Sequence, residues 1–145
     1  MDQTTILLIE DNPDDVELTL HAFKKNHMAN DIVVATDGAE GLDYLFGTGK
    51  YAGRDADETP ALILLDLQLP KIGGLEVLRK VREDERTKRI PVVILTTSDE
   101  EEDIINGYDR GCNSYLRKPV DFTEFMNSVK QLEVYWMVLN TPPPK

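Results

Sequence analysis

The sequence predicts an α/β fold of the (βα)5 type, a doubly wound five-stranded parallel sheet that ends in an extended last helix. Short aliphatic runs, typical of strands buried on both faces, alternate with segments of helical periodicity. Such alternation implies a parallel sheet with helices on both faces and right-handed crossovers. The chain has 145 residues, 41% hydrophobic and 30% charged, which is an ordinary globular composition and enough length for a buried core.

Four aliphatic runs and one weaker candidate mark the strands. They are 6–9, 32–35, 61–65 and 92–95, with 114–117 as the weaker fifth. Each of the four is bounded by polar residues or by Pro and Gly, and none alternates with polar residues. This pattern favours strands inside a parallel sheet over strands with one face in water.

A helical pattern follows each strand. The first begins at Asn12-Pro13, because Asn caps helices and Pro is favoured in the first turn. The last is the longest, with an apolar stripe from Phe122 to Trp136. We predict a single domain over residues 1–145, with a core at about 4–133 and a helix extension and Pro-rich tail at 134–145. The long 47–60 connection is interpreted as a solvated insertion, with a partner-binding loop as the alternative.

The charge of the chain excludes several classes of partner. With 16 Lys+Arg and 27 Asp+Glu, the formal charge is −11, which disfavours both nucleic acid and anionic lipid. No apolar run approaches the roughly 20 residues needed to span a bilayer. Cys112 is the one cysteine in the sequence, so there is no disulfide and no cysteine metal cluster. We predict a cytoplasmic protein that binds neither nucleic acid nor membrane.

Polar residues follow the predicted strands where a ligand site is expected. In an open α/β sheet, ligands bind beyond the carboxyl ends of the strands. The residues there are Glu10, Asp11, Asp66, Thr96 and Lys118. A single acid after a strand is more often a helix cap or a solvated group, but this combination at several strand ends is a specific signal.

These residue types indicate phosphoryl chemistry assisted by a metal. Unit charges about 4 Å apart repel by roughly 4 kcal/mol at an effective dielectric near 20, so converging carboxylates need a cation. An oxygen-only site suits Mg²⁺. Lys118 and the hydroxyl of Thr96 can hold an anion, and Asp66 is the best candidate for a carboxylate nucleophile.

Four segments closely resemble two-component receiver domains: 6–12, 62–70, 91–97 and 115–119. The resemblance covers roughly residues 4–133 and implies a flavodoxin-like, receiver-type fold in a bacterial response regulator. Within the family, the chain resembles stand-alone response regulators of the cyanobacterial phytochrome type. That narrower likeness rests on the long loop before Pro60 and on the aromatic C-terminal tail.

The resemblance implies a role for each residue of the site. Asp66 accepts the phosphoryl group from a sensor histidine kinase, which the narrower likeness implies is phytochrome-like, and Lys118 and Thr96 contact the phosphoryl oxygens. Mg²⁺ is held by Asp11 directly, by Glu10 through water, by Asp66 and by the backbone carbonyl of Gln68.

The resemblance also implies a switch and a control on dephosphorylation. Tyr115 turns inward when Thr96 moves, and Gln68 and Ser98 tune the rate at which the phosphoryl group is hydrolysed. The Lys118-Pro119 bond is commonly cis in the family. The chain is therefore expected to be a phosphoacceptor that assists its own phosphorylation and dephosphorylation, and not an enzyme; its downstream target stays open.

Two alternative functions remain. The chain could be an interaction module that does not depend on phosphorylation, a reading disfavoured by the intact acids, Thr96 and Lys118. It could also be a Mg²⁺-dependent phosphatase with an aspartyl nucleophile, but such enzymes need a second acid soon after the nucleophile, where Leu67 and Gln68 stand.

The C-terminal segment predicts an interface. Val134–Leu139 is apolar all round, although a helix on one sheet needs a single apolar stripe. We therefore predict a homodimer with Tyr135, Trp136 and Leu139 at the interface; looser packing on the same domain is the alternative.

Overall fold

Five strands and five helices alternate along the computed structural model, which describes residues 5–25, 31–119 and 121–144. In chain order the elements are β1 Thr5–Ile9, α1 Pro13–Lys25, β2 Asp31–Ala35, α2 Gly38–Phe46, β3 Leu62–Leu65, α3 Gly74–Glu83, β4 Val92–Thr96, α4 Glu101–Asp109, β5 Ser114–Arg117 and α5 Phe122–Val134. All paired strands are parallel, in the order β2-β1-β3-β4-β5. The predicted (βα)5 sheet is confirmed, and its strand order reverses direction between β1 and β3.

Alternate side chains of the central strands fill two separate cores. Leu7 and Ile9 of β1 pack on the face covered by α2 and α3, whereas Ile6 and Leu8 pack on the face covered by α1 and α5. All four are almost completely buried. Burial on both faces is why these strands are continuous aliphatic runs rather than alternating ones.

The helix boundaries follow from capping residues visible in the sequence. Asn12 accepts hydrogen bonds from the N–H groups of the first turn of α1, and Asp37 and Asp121 do the same for α2 and α5. Gly47, with φ of 66°, ends α2 in the left-handed conformation that glycine adopts at little cost.

The 47–60 loop is anchored on α2. A short 3-10 turn places the ring of Tyr51 edge-on against Tyr44, with the centroids 5.1 Å apart. The guanidinium of Arg54 lies 3.9 Å from the centroid of the Tyr44 ring and donates to the Tyr44 carbonyl at 2.8 Å. The loop is thus held by specific contacts while most of its residues are exposed, so the solvated insertion stays the prediction and the partner-binding loop its alternative.

The C-terminal segment is half covered by its own domain. After α5, one π-helical turn spans Tyr135–Leu139. Trp136 and Met137 pack against the α1–α5 core, but Tyr135 is 50% and Leu139 67% exposed. The homodimer therefore stays a prediction, with an apolar surface available to it. Among the described residues, no helix has the length and apolarity needed to cross a membrane.

Candidate functional site

Two buried carboxylates stand side by side at the carboxyl edge of the sheet. β1 and β3 pair with Ile9 opposite Leu65, so the next residues, Glu10 and Asp66, emerge next to each other. The N–H of Asp66 donates to the Ile9 carbonyl at 3.1 Å, which extends the ladder by one step. Glu10 and Asp66 are only 3% and 6% exposed. Buried acids need a compensating cation or hydrogen bonds.

Lys118 supplies that compensation from the far side of the edge. Its backbone N–H donates to the Thr96 carbonyl, which fixes the residue after β5. Its ammonium lies 3.0 Å from Asp66 Oδ2 and donates to Glu10 Oε1 as well. The cis Lys118-Pro119 bond expected from the family is wrong for this structure, because the described residues contain no cis peptide. The ammonium reaches the carboxylates from a trans backbone.

The cluster divides its charge unequally between the acids. Burial, with the Asp66 charge adding to it and the Lys118 hydrogen bond opposing it, raises the pKa of Glu10 to about 7. Burial acts in the same direction on Asp66, but the charge and hydrogen bond of Lys118 outweigh it, and the pKa of Asp66 falls below its ordinary value. Asp66 is thus the carboxylate that stays ionised, which is the state a nucleophile requires.

A divalent cation fits the open side of this cluster. Carboxylate oxygens of Glu10, Asp11 and Asp66 lie within 4.8 Å of one another, and Asp11 is exposed at the rim. The donor set is made of oxygen alone, which suits a hard cation such as Mg²⁺, Mn²⁺ or Ca²⁺. Gln68 lies at the same rim with an exposed side chain, and its N–H donates to Asp66 Oδ1 at 3.2 Å.

On the β4 side of the site, the loop after Thr96 contacts the ring-bearing side chain of Tyr115. Thr96 is fully buried and hydrogen-bonds to Asp66, which contributes to the lowered pKa of that acid. Tyr115 donates its hydroxyl to the Ser98 carbonyl at 3.0 Å, and the Ser98 hydroxyl contacts Asp103. The ring of Tyr115 therefore already lies inward in this structure, under the loop that joins β4 to α4, and its inward turn on phosphorylation stays a prediction.

Gly107 makes room for that ring. A Cβ built on Gly107 of α4 would lie 2.9 Å from Ile94 Cδ1 and 3.3 Å from Tyr115 Cδ2. Contacts that short require neighbouring side chains to move. A side chain at position 107 would therefore crowd both Ile94 and the ring of Tyr115.

On the other side of the site, α3 begins directly against the backbone of Asp66. A Cβ on Gly74 would lie 2.2 Å from the Asp66 carbonyl oxygen and 2.6 Å from the Leu67 Cα. The N–H of Gly74 donates to the Leu67 carbonyl at 3.0 Å. The backbone that carries Asp66 is therefore fixed by direct contact with a helix.

The structure adds one residue that the strand-end rule missed. Asp15, in the first turn of α1, places Oδ2 2.8 Å from the ammonium of Lys118. The rule inspects only residues directly after a strand, and Asp15 lies inside the following helix. The predicted start of that helix at Asn12-Pro13 was the available signal, because a first turn beginning there lies at the same edge.

The comparisons with known proteins agree with this geometry. The profile of the response regulator receiver domain matches residues 6–130. The chain belongs to this family. It is a phosphoacceptor protein of two-component signalling, as the sequence predicted.

Two relatives are similar to this chain over almost their whole length. FilR2 of Methanothrix harundinacea, described as a probable methanogenesis regulatory protein, is 39% identical over 142 residues, which cover 98% of this chain and 89% of that protein. Response regulator Rcp1 of Synechocystis sp. is 36% identical over 138 residues, 95% of this chain and 92% of Rcp1.

A solved structure in the family is equally similar. The phosphorylated cyanobacterial phytochrome response regulator RcpA superposes with a TM-score of 0.91 at 39% identity, covering 98% of this chain and 99% of RcpA. The likeness to cyanobacterial phytochrome response regulators expected from the loop and the tail is confirmed.

Proposed function

We propose that Asp66 accepts a phosphoryl group from a sensor histidine kinase in a reaction that depends on Mg²⁺, and that Thr96 and Tyr115 convert the modification into a changed surface. The observation that carries this proposal is the contact of Asp66 with Lys118, 3.0 Å long, inside a cluster of carboxylates open to a cation. RcpA is a phytochrome response regulator, so a phytochrome-like kinase is the proposed phosphodonor here.

The residues divide the chemistry between them. The ionised Asp66 forms a bond from a carboxylate oxygen to phosphorus, while the bond from phosphorus to the histidine nitrogen of the kinase breaks and its electron pair leaves with the imidazole. Lys118 faces the incoming phosphoryl oxygens with a buried ammonium, which stabilises developing negative charge in a dry environment. Mg²⁺ bound by Glu10, Asp11, Asp66 and the Gln68 carbonyl would neutralise the same oxygens.

The switch follows from the contacts of Thr96. A phosphoryl group on Asp66 offers new acceptor oxygens to the Thr96 hydroxyl, which already bonds to Asp66. Movement of Thr96 acts on the backbone of Ser98 two residues later, and this backbone accepts the hydroxyl of Tyr115. Phosphorylation thereby shifts the population of conformations on the α4–β5–α5 face. The proposal also assigns the tuning of hydrolysis to Gln68 and Ser98, two residues after Asp66 and Thr96 respectively.

The rival functions gain no support from the geometry. A phosphatase needs an acid to protonate its leaving group, but the side chain at the rim after Asp66 is the amide of Gln68. An interaction module independent of phosphorylation would not need several carboxylates gathered around a single ammonium, because the excess negative charge costs stability unless a further cation binds. A homodimer through Tyr135, Trp136 and Leu139 remains part of the proposal and is accessible to sedimentation of the full chain.

Labelling of Asp66 tests the proposal. We expect acetyl phosphate with Mg²⁺, or a phosphorylated histidine kinase, to add one phosphoryl group to the full chain, measured by intact mass. Asp66→Asn is expected to abolish labelling, because the nucleophilic carboxylate is removed while size and shape are kept.

Two controls make the result decisive. Asp109→Asn, which removes an exposed carboxylate at the end of α4, is expected to be labelled like the natural chain. Chelation of Mg²⁺ is expected to suppress labelling of both the natural chain and Asp109→Asn. Stoichiometric labelling of Asp66→Asn would overturn the assignment.

A further inference from the structure

Lys118 is held from three directions by three carboxylates. Glu10 follows β1, Asp66 follows β3, and Asp15 lies in α1, with contacts to the ammonium of 3.0 Å for Asp66 and 2.8 Å for Asp15. An ammonium has three N–H donors. All three are therefore used, and each points at a different element of the fold.

The position of Asp15 is itself fixed by the start of α1. The side chain of Asn12 accepts from the N–H groups of Asp14 at 2.9 Å and Asp15 at 3.3 Å, so Asp15 is the third residue of the helix. Its carbonyl accepts the Thr19 hydroxyl at 2.7 Å. A carboxylate in the first turn is also favoured by the helix macrodipole. Asp15 is thus presented to Lys118 by a capped, locally rigid turn.

The three partners of Lys118 have different fates in the proposed reaction. Glu10 and Asp66 belong to the carboxylate cluster that could hold the divalent cation, and Asp66 is also the residue that accepts the phosphoryl group. Asp15 belongs to neither group. When the cation and the phosphoryl group engage Glu10 and Asp66, Asp15 is the carboxylate that can keep its hydrogen bond to the ammonium.

We propose that Asp15 is a positioning residue: it holds the ammonium of Lys118 in place for the phosphoryl oxygens while Glu10 and Asp66 exchange partners. The inference rests on the proposed function of Asp66. Lysine has a flexible stem with several rotatable bonds, so an anchor that persists through the reaction preserves an orientation that would otherwise be lost. Lys118 stays protonated throughout and transfers no proton in this role.

A pair of alanine variants isolates this role. Asp15→Ala removes the anchor, and Asp14→Ala removes the neighbouring, exposed carboxylate of the same helical turn. Both delete one negative charge beside the helix N-terminus, so they match in their macrodipole effect. At saturating Mg²⁺ and acetyl phosphate, we expect Asp15→Ala to lower the rate constant for labelling by about fivefold relative to Asp14→Ala, the size of one lost orienting hydrogen bond.

A double-mutant cycle decides whether Asp15 acts through Lys118. In a Lys118→Met background, the further change Asp15→Ala is expected to leave the residual labelling rate unaltered. Mg²⁺ affinity, measured by titration without any phosphodonor, is expected to agree within about twofold between the two alanine variants, because Asp15 faces the ammonium and not the carboxylate cluster.

The outcomes separate this inference from the proposed function. Equal labelling rates for Asp15→Ala and Asp14→Ala overturn the positioning role, as does an equal loss from Asp15→Ala with and without Lys118. A fold defect alone would lower the unfolding temperature and act in both backgrounds, so it falls under the second result. If the natural chain is not labelled at all, the proposed function fails instead.

Discussion

Two cations of this molecule, the buried Lys118 and the half-buried Arg82, are held in opposite ways. Lys118 lies at the carboxyl edge of the sheet among three carboxylates. Arg82, at the end of α3, has neutral partners: it donates to the carbonyls of Gly111, Lys88 and Ile90 and to the side-chain oxygen of Asn113, at 2.7 to 3.0 Å. Burial lowers the pKa of Arg82, whereas the hydrogen bonds that Lys118 donates to Asp15 and Glu10 raise the pKa of Lys118 against the effect of burial.

The difference separates a reactive site from a structural one. The partners of Lys118 are charged groups that a divalent cation or a phosphoryl group can engage, so its contacts can be exchanged. The partners of Arg82 are oxygens of the main chain and one amide, which no ligand replaces. Arg82 joins α3 to the segment before β4 and to the segment before β5, and it is expected to contribute to stability in every state of the protein.

Exchanging each cation for methionine is the strongest test of this contrast. Arg82→Met leaves several partly buried oxygens without a donor and is expected to lower the free energy of unfolding by about 2–3 kcal/mol, with labelling by acetyl phosphate unchanged. Lys118→Met is expected to lower the labelling rate by about a hundredfold, because a preorganised donor to the phosphoryl oxygens is lost.

Arg79→Met is the matched control for the loss of stability. Arg79 lies on the same helix and pairs with Glu76 and Glu83 at the surface. Exposed ion pairs contribute little, so its loss is expected to cost less than about 1 kcal/mol in chemical denaturation. A large labelling defect in Arg82→Met, in folded protein, would break the contrast.

The pH dependence of stability sharpens the contrast on the Lys118 side. In the folded protein without metal, Glu10 has a pKa of about 7 against an ordinary 4.5, so the folded state binds its proton more tightly than the unfolded state. The stability that this tighter proton binding contributes is fully present when the pH is below the ordinary pKa of Glu10, and it is lost as the pH rises through about 7. We expect the free energy of unfolding to fall by about 2 kcal/mol between about pH 5 and about pH 8, measured with urea.

Asp66 and Lys118 do not titrate between about pH 5 and about pH 8. The lowered pKa of Asp66 affects stability only under more acidic conditions, and the raised pKa of Lys118 affects it only under strongly basic ones. Saturating Mg²⁺ is expected to abolish the fall, since it competes with the proton for Glu10. Glu10→Gln is expected to show no fall, and an undiminished slope in that variant would contradict the assignment.

The smallest expected effect concerns Gly107, whose missing side chain leaves room for the Tyr115 ring. Gly107→Ala adds a Cβ 2.9 Å from Ile94 Cδ1 and 3.3 Å from Tyr115 Cδ2. We therefore expect the Tyr115 ring to shift slightly and its hydrogen bond to the Ser98 carbonyl to weaken. The gain in helix propensity offsets part of the crowding, which leaves a stability change below about 1 kcal/mol. Nuclear Overhauser contacts between Tyr115 and Ile94 measure the displacement. Asn106→Ala adds no atom beside the Tyr115 ring and should preserve these contacts.

The sheet and most of the site could be predicted because local sequence determines them. The run 92–95 became β4 with one residue added, and 114–117 matches β5. Strands buried on both faces need aliphatic residues throughout, and parallel pairing brings their ends to one edge. Glu10, Asp66 and Lys118 are therefore adjacent for reasons that the sequence shows.

The remainder depends on contacts between distant segments. Nothing near Arg82 in the sequence indicates its hydrogen bonds to Gly111 and Asn113. The acceptors are a main-chain carbonyl oxygen and a side-chain amide oxygen, which many other residues could supply. The anchoring of the 47–60 loop rests on Arg54 stacking over Tyr44, which requires the loop to fold back on α2. The contact between Asp15 and Lys118 depends on how the first turn of α1 is oriented, and helical periodicity in the sequence does not give that orientation.

The contact of Gly74 with the backbone of Asp66 makes the two flanks of the site unequal in stiffness. On the α3 flank, a helix terminus abuts the main chain with no side chain between them, so displacement there would require a whole helix to move. On the β4 flank, a hydroxyl and an aromatic ring can move by rotation of single bonds. Strain generated at Asp66 is expected to relax through the more compliant flank, and the direction in which the signal leaves the site is then set by the absence of one methyl group at position 74.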